Sequence, residues 1–329
     1  MTGTTTPGGD QVLFIAGLGR SGSTLVERLV GDLPGACPLG EVVHLWERAL
    51  RDDETCGCGT RFSACPFWTA VGEHAFGGWH HVDVDEVLAL KAKVDRTRHM
   101  PLMLWPVLSR RRAADVRRYA DLYERVYAAA REVSGAEVVV DSSKHVSLVL
   151  VLRRTLTGLH VLHVVRDVLG VAHSWQKAVL RPEVRDGDAL MPRYRPGYVA
   201  VAWSLYNSVL LLLPRTGTDV LLLRYEDFTD DPRGALRRVA AHAGLPAAGA
   251  DELFVSDHEV VLSPSHTVAG NPMRFKTGRT PLRRDESWRA GLRRRDALLV
   301  TVGTAPIRRL LGYGRLARST RRSRWTSST

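Results

Sequence analysis

The chain has 329 residues, 44 % hydrophobic and 25 % charged, with a formal net charge of +11. A chain of that length buries about three quarters of its surface, and the composition excludes a disordered, collagenous or disulfide-dense protein. The positive field favours anionic partners: nucleotides, phosphate or sulfate esters, nucleic acid or anionic lipid. Only five of the 46 basic residues are lysine, and the arginine fork suits bidentate oxyanion contacts.

Residues 1–10 read as a disordered Thr/Gly-rich leader without the basic start of a signal peptide. Apolar runs such as 209–213 are too short to span a bilayer, so a cytoplasmic location is expected. A buried strand over 11–17 leads through a glycine turn into a helix over 22–32, and 34–39 reads as a turn. The segment 51–80 is irregular and Cys/Gly-rich. Helical patterns follow at 84–96 and 109–133, the second with Val116, Tyr119, Tyr123, Val126, Ala130 and Val133 on one face. "AEVVVDSSKH" is a short apolar strand with a helix after it at 145–156, and "GLHVLHVVRD" repeats the pattern with "DVLGVAHSWQKAVL". A Pro/Gly/Arg-rich loop at 182–197 is expected to be mobile. A helix at 198–213, the strand in "TDVLLLRYEDF" and a helix opening at Asp231-Pro232 and stopping at Gly244 complete the series. Beyond about 260 only Pro/Gly/Arg-rich loops are expected.

Apolar strands alternating with helices predict an α/β fold, a P-loop-like three-layer sandwich with a central parallel sheet and helical insertions. The expected organisation is one domain over 11–305 with a Cys- and helix-rich insertion at about 51–133 on the acceptor side. A basic tail follows over 306–329, with seven Arg and no acid, for which a weak contact with an anionic membrane surface is the expectation. The cysteines Cys37, Cys56, Cys58 and Cys65 allow a four-thiolate zinc site or a local disulfide, but C-x-C-x6-C is not a usual zinc spacing. Reduced structural thiols, and no metal site, are expected.

The first turn, "GLGRSGST", has three readings. Gly17-x-Gly19-x-x-Gly22 matches a dinucleotide fingerprint, with Glu41 where a ribose-binding acid would fall, except that "PGACPLGEVV" does not read as the strand such an acid should end. Gly17-x4-Gly22-Ser23-Thr24 nearly matches a nucleoside-triphosphate loop, with Ser23 replacing its lysine and Asp141 as a magnesium acid. The third reading keeps the backbone cradle and changes its cargo. Arg20 with Ser21, Ser23 and Thr24 suits a phosphosulfate, which carries less charge and needs no metal. A donor with a second phosphate demands a second cradle. Arg166, ending a strand, and Ser174, two helical turns on, supply it at the carboxyl edge of the sheet, where open α/β sheets bind ligands.

"GLGRSGSTL" and "VVRDVLGVAHSW" resemble the two donor-binding motifs of the sulfotransferase superfamily. "RYEDFTDDP" resembles its tyrosine-acid stretch, and "GNPMRFKTG…ESW" its C-terminal basic loop. The first loop carries Arg20, as in tyrosylprotein, carbohydrate and bacterial small-molecule relatives, where the cytosolic branch has lysine. The resemblance covers about residues 11 to 290. It implies a sulfotransferase using 3′-phosphoadenylyl sulfate, releasing adenosine 3′,5′-bisphosphate and needing no metal. Gly19, Arg20, Ser21, Gly22, Ser23 and Thr24 would cradle the phosphosulfate, and Arg166 and Ser174 the 3′-phosphate. Arg274, Lys276 and Gly278 would complete that site, with Tyr225 near the adenine. Glu41 is the expected acceptor base, with His44 as its competitor, and Arg20 and Lys144 the cations on the moving group. Asp141 would orient Lys144 or Arg20, and Ser142 and Ser143 read equally as helix caps. His145, His173, Trp175 and Trp288 read as structural. Trp46, Phe67, Trp68, Trp79, Trp105, Tyr194 and Tyr198 mark the regions expected to shape the acceptor site. A small molecule, glycolipid or carbohydrate is the expected acceptor, and no nucleic-acid partner is expected.

Overall fold

The computed structural model describes residues 11–105, 107–181 and 190–314. The leader, residues 182–189 of the 182–197 loop and most of the basic tail lie outside them. The fold grows from strand β1 (Gln11–Ala16), which is buried from Val12 onward. Its side chains alternate between two cores. Val12, Phe14 and Ala16 enter one apolar cluster, and Leu13 and Ile15 the other, as a strand covered on both faces requires. Strands β2 (Ala36–Gly40), β3 (Val138–Lys144), β4 (Leu159–Val165) and β5 (Asp219–Arg224) join it in the order β2-β3-β1-β4-β5, every pair parallel. The molecule is thus an α/β sandwich on a central five-stranded parallel sheet.

Helix α1 (Ser23–Gly31) leaves the glycine turn. The 51–133 region carries more helix than its sequence suggests. A π-helical turn at Leu45–Arg51 leads to α2 (Pro66–Phe76), which the Cys/Gly-rich composition hides, then α3 (Val84–Val94), α4 (Met100–Leu104) and α5 (Arg110–Ser134). Ser109 and Gly135 bound α5: the serine side chain accepts from Arg112 N, and the glycine takes the left-handed conformation (φ 67°), which only glycine adopts freely. Helices α6 (Val146–Leu152), α7 (Val168–Ser174), α8 (Pro196–Leu212), α9 (Tyr225–Asp230) and α10 (Pro232–Ala243) follow, the last closed by Gly244 as predicted. Helix α7 stops at Ser174, well short of the predicted continuation.

Two expectations fail at the periphery. Residues 34–39 are not merely a turn: β2 forms there as an edge strand, too short and too rich in Gly and Pro to read as one. The region past 260 is not all loop. Strands β6 (Phe254–Ser256), β7 (Glu259–Leu262) and β8 (Gly278–Pro281) form an antiparallel sheet, and α11 (Trp288–Gly291), α12 (Arg294–Gly303) and α13 (Ala305–Leu310) follow. Helix α8 with its last turn, Pro196–Thr216, is long and apolar enough to cross a membrane by length and composition, with a mean hydropathy of 1.4. This corrects the reading that no apolar stretch reaches that length. In the fold, Val199 and Trp203 of this helix pack in one cluster with Val168 and Val171 of α7 and Val300 of α12.

A buried acid locks the sheet's carboxyl edge. Glu27 of α1 accepts from Gly40 N at 2.7 Å and from Ser142 Oγ at 2.7 Å, joining α1, β2 and β3. Burial outweighs these bonds and the nearby Lys144 charge, and lifts its pKa from 4.5 to about 7. A raised folded-state pKa means that the folded chain keeps a proton the unfolded chain loses. Glu27 therefore stabilises fully below about pH 4.5, and that contribution declines as pH rises toward 7, by up to about 3 kcal/mol. Thermal unfolding across that window is expected to show a flatter pH dependence for Glu27→Gln than for wild type. Parallel curves would refute the assignment.

Candidate active site

All five parallel strands end on a residue singled out from the sequence. β1 runs into the Gly17–Thr24 turn, β2 into Glu41, β3 into Lys144, β4 into Arg166 and β5 into Tyr225. The dinucleotide reading fails on topology. In that fold the second strand lies beside the first, whereas here β3 separates β1 from β2. The sequence argument against it, that Glu41 follows no strand, is itself corrected, because β2 ends at Gly40.

The turn is shaped by close approaches. A Cβ on Gly17 would meet the Val164 carbonyl oxygen at 2.2 Å, one on Gly19 the Trp175 ring at 2.9 Å, and one on Gly22 the Tyr225 ring at 2.5 Å. Four non-glycine residues among those described have positive φ, and Arg20 (74°) and Lys144 (66°) are two of them. Such strain persists only where surrounding structure enforces it, and it collects at functional sites.

Two cavities meet here. The first, of about 370 Å³, is lined by Gly19, Arg20, Gly22, Ser23 and Thr24 from the turn and by Arg166, Ser174 and Tyr225 from the far strands. The two cradles, more than 140 residues apart in sequence, face one space. Asn271, Met273, Pro281, Arg283 and Asp285 close its side. The second cavity, of about 560 Å³, has a charged wall of Glu47, Arg48, Asp52, Glu54 and Arg181 and an aromatic wall of Tyr194, Tyr198 and Tyr206. Gly19, Glu41, Lys144, Trp175 and Met191 line both.

At that junction Lys144 Nζ donates to Glu41 Oε1 and, at 3.1 Å, to the Ser142 carbonyl. Burial alone would raise the Glu41 pKa, but the positive charge around it, that of Lys144 foremost, outweighs burial and holds the carboxylate at about 2. The ion pair thus holds the expected base far below neutrality. His44 lies 3.7 Å from Glu41 Oε2, and burial drives its own pKa down to about 3 against the pull of Glu41, so its imidazole is neutral. Gly270 backs the carboxylate: a Cβ there would meet Glu41 Oε1 at 2.8 Å. Arg20 stacks its guanidinium on Trp175, 5.1 Å from the ring centroid, and Trp175 Nε1 donates to the Gly19 carbonyl at 3.1 Å.

At the far end Arg166 lies 4.6 Å over the Tyr225 ring. It donates to the Asp285 carbonyl at 2.5 Å and sits 3.2 Å from its carboxylate, which is also 3.5 Å from Lys177.

The sulfotransferase family profile matches residues 12–249, well over half of the chain. The chain belongs to the sulfotransferase family. Its fold is similar to that of the sulfotransferase domain of the olefin synthase of Synechococcus PCC 7002, at 18% identity and a TM-score of 0.50, covering 93% of this chain and 95% of that one. A sulfotransferase domain from the curacin biosynthetic pathway matches at 15% identity and a TM-score of 0.48, covering 92% and 98%. No curated relative matches the sequence.

In this sulfotransferase several assigned residues lie elsewhere. Ser21 is buried and lines neither cavity. Arg274 is 1% exposed, and its guanidinium donates to the Thr267 and Thr55 carbonyls at 2.6 Å each and stacks on Phe275. It is a structural staple, not a phosphate ligand. Lys276 is exposed away from the cavity and contributes its carbonyl, which accepts from Arg28 at 3.2 Å. Gly278 opens β8 and also lies outside the cavity. The basic residue that the C-terminal segment does bring to the cavity wall is Arg283, which the paired arginines of "LRRD" signal. Asp141 lines neither cavity: it is fully buried, accepting from Tyr127 Oη at 2.5 Å and Ser143 N at 2.7 Å. That removes it as a magnesium acid and as a direct partner of Arg20. Ser142 and Ser143 cap no helix; Ser142 bonds Glu27 and Ser143 Oγ accepts from Val43 N at 2.8 Å. Trp175 and His145, read as structural, line the second cavity, whereas Trp46 and Trp68 are core residues and only Tyr194 and Tyr198 of the expected aromatics reach it.

Proposed function

We propose that this sulfotransferase moves the sulfuryl group of 3′-phosphoadenylyl sulfate to a hydroxyl of a small-molecule or glycan acceptor. The observation that carries this reading is the shared wall of the two cavities, which places a carboxylate and an ammonium where donor and acceptor would touch. The glycine turn offers backbone N–H groups, the Ser23 and Thr24 hydroxyls and Arg20 to the phosphosulfate. Arg166, Ser174 and Arg283 take the 3′-phosphate at the other end, and the Tyr225 ring between them offers a face to the adenine. The charged and aromatic walls of the larger cavity suit a ring-bearing, hydroxylated acceptor.

In the transfer, the acceptor oxygen attacks sulfur in line with the departing phosphate oxygen. The sulfur–oxygen bond to phosphate breaks, and its electron pair leaves on adenosine 3′,5′-bisphosphate. The acceptor proton passes to Glu41. Lys144 and Arg20 stabilise charge on the sulfuryl oxygens, the electrostatic part of such a reaction. As Lys144 shares its charge with those oxygens, its hold on Glu41 loosens and the carboxylate regains basicity.

The experiment is mass spectrometry of a metabolite extract incubated with enzyme and donor. A product heavier by one sulfuryl group is expected. In parallel, calorimetry is expected to give the same affinity for adenosine 3′,5′-bisphosphate with and without magnesium. No sulfated product together with magnesium-dependent binding would favour a kinase-like nucleotide enzyme instead.

A further inference from the structure

We infer that Cys56, Cys58, Cys65 and His266 form a structural zinc site that fastens the cysteine-rich loop to the segment carrying the back wall of the active site. The three thiol sulfurs and a ring nitrogen of His266 all lie within 4.8 Å of one another. Cys58 and Cys65 Sγ are 3.8 Å apart, the separation of two sulfurs each bound at about 2.3 Å to one tetrahedral zinc. Cys65 Sγ lies 3.2 Å from His266 Nδ1. None of the cysteines is paired in a disulfide.

The spacing C-x-C-x6-C looks wrong for zinc only while the fourth ligand is sought nearby. It arrives from 201 residues away, and it is a histidine. Cys37, the fourth thiol weighed from the sequence, lies outside the cluster, on β2. Three thiolates and an imidazole are a closed tetrahedral donor set of the soft kind that zinc takes, with no carboxylate to favour magnesium or calcium and no open position for a reacting water.

The surroundings are built to hold this geometry. Cys56 N donates to the Thr60 carbonyl at 2.7 Å and Gly59 N to the Cys56 carbonyl at 2.9 Å, folding the loop so that Cys56 and Cys58 face Cys65 at the start of α2. The His266 ring stacks on Phe67, centroids 5.1 Å apart at 19°, and its carbonyl accepts from Trp68 Nε1 at 2.6 Å. Gly57 N donates to the Thr267 carbonyl at 2.9 Å.

The metal's task follows from where that segment goes next. Val268 N donates to the Leu39 carbonyl at 2.8 Å and its carbonyl accepts from Glu41 N at 2.9 Å. Gly270 lies against the Glu41 carboxylate, and Asn271 lines the donor-side cavity. None of the four ligands lines either cavity. The zinc would position the backbone that positions Glu41, without touching substrate.

The test is read on the metal and is independent of the donor assignment. The full-length protein, purified under reducing conditions, is expected to carry stoichiometric zinc by elemental analysis. Cobalt(II) added to metal-stripped protein is expected to give the intense thiolate charge-transfer and d–d bands of a tetrahedral sulfur-rich site. His266→Ala and Cys58→Ser are expected to lose both signals, and Cys37→Ser to keep them. If those variants do not fold, the cobalt spectrum of wild type decides alone. Absence of zinc with no cobalt band, or a native mass lighter by two hydrogens that maps a disulfide to these cysteines, would overturn the site.

Discussion

Glu41→Gln is expected to lower turnover by about 10²–10⁴-fold, the span a positioned general base contributes, while donor affinity stays level or rises. The amide keeps the size and one hydrogen-bond acceptor for Lys144 but cannot take the acceptor's proton. It also releases Lys144 from its ion pair, leaving more of the ammonium charge for an anionic donor. The effect therefore falls on kcat and spares binding, the pattern of an interaction made in the transition state. Turnover assays alongside calorimetry with adenosine 3′,5′-bisphosphate separate the two. Full activity in the variant would pass the role to His44 or to solvent. Glu41 lines both cavities whereas His44 lines only the acceptor-side one, so the expectation rests on Glu41.

Arg166→Ala is expected to weaken adenosine 3′,5′-bisphosphate binding by about 2–4 kcal/mol, on the order of 30- to 1000-fold, as truncating one partner of a desolvated charge pair does. The side chain is largely buried and fixed over Tyr225 by its bonds to Asp285. It ends β4 facing the same cavity as the glycine turn. Its loss removes one phosphate-binding end of the cavity and leaves the other in place. Unchanged affinity in calorimetry would count against placing the 3′-phosphate there.

The residues at the strand ends were legible because each lies at or a few residues past the end of an apolar run. In a parallel sheet every such ending falls on one edge, so Arg20, Lys144, Arg166 and Tyr225 converge without any side-chain detail being known. The C-terminal segment was not legible in that way. Arg274 and Arg283 both read as basic loop residues. What separates them is burial: Arg274 is sealed among carbonyls, and Arg283 lies on the cavity wall. β2 was hidden because an edge strand of five residues containing Pro and Gly carries no alternation to detect. The cysteine cluster was half legible, since its three thiols lie close together in sequence while the histidine comes from the connection between β7 and β8. The state of the Glu41 carboxylate was not legible at all, because it depends on Lys144 arriving from a different strand.

Asp285 carries a consequence for the rhythm of turnover. Its carboxylate already rests against Arg166 and Lys177, where the proposed function places the incoming 3′-phosphate. On that proposal, capture of the nucleotide is an exchange of one anion for another rather than the filling of a bare cationic hole. The same tethered acid stands ready to reclaim the arginine when the spent nucleotide loosens, so that a grip strong enough to orient the donor need not become a trap for what remains of it.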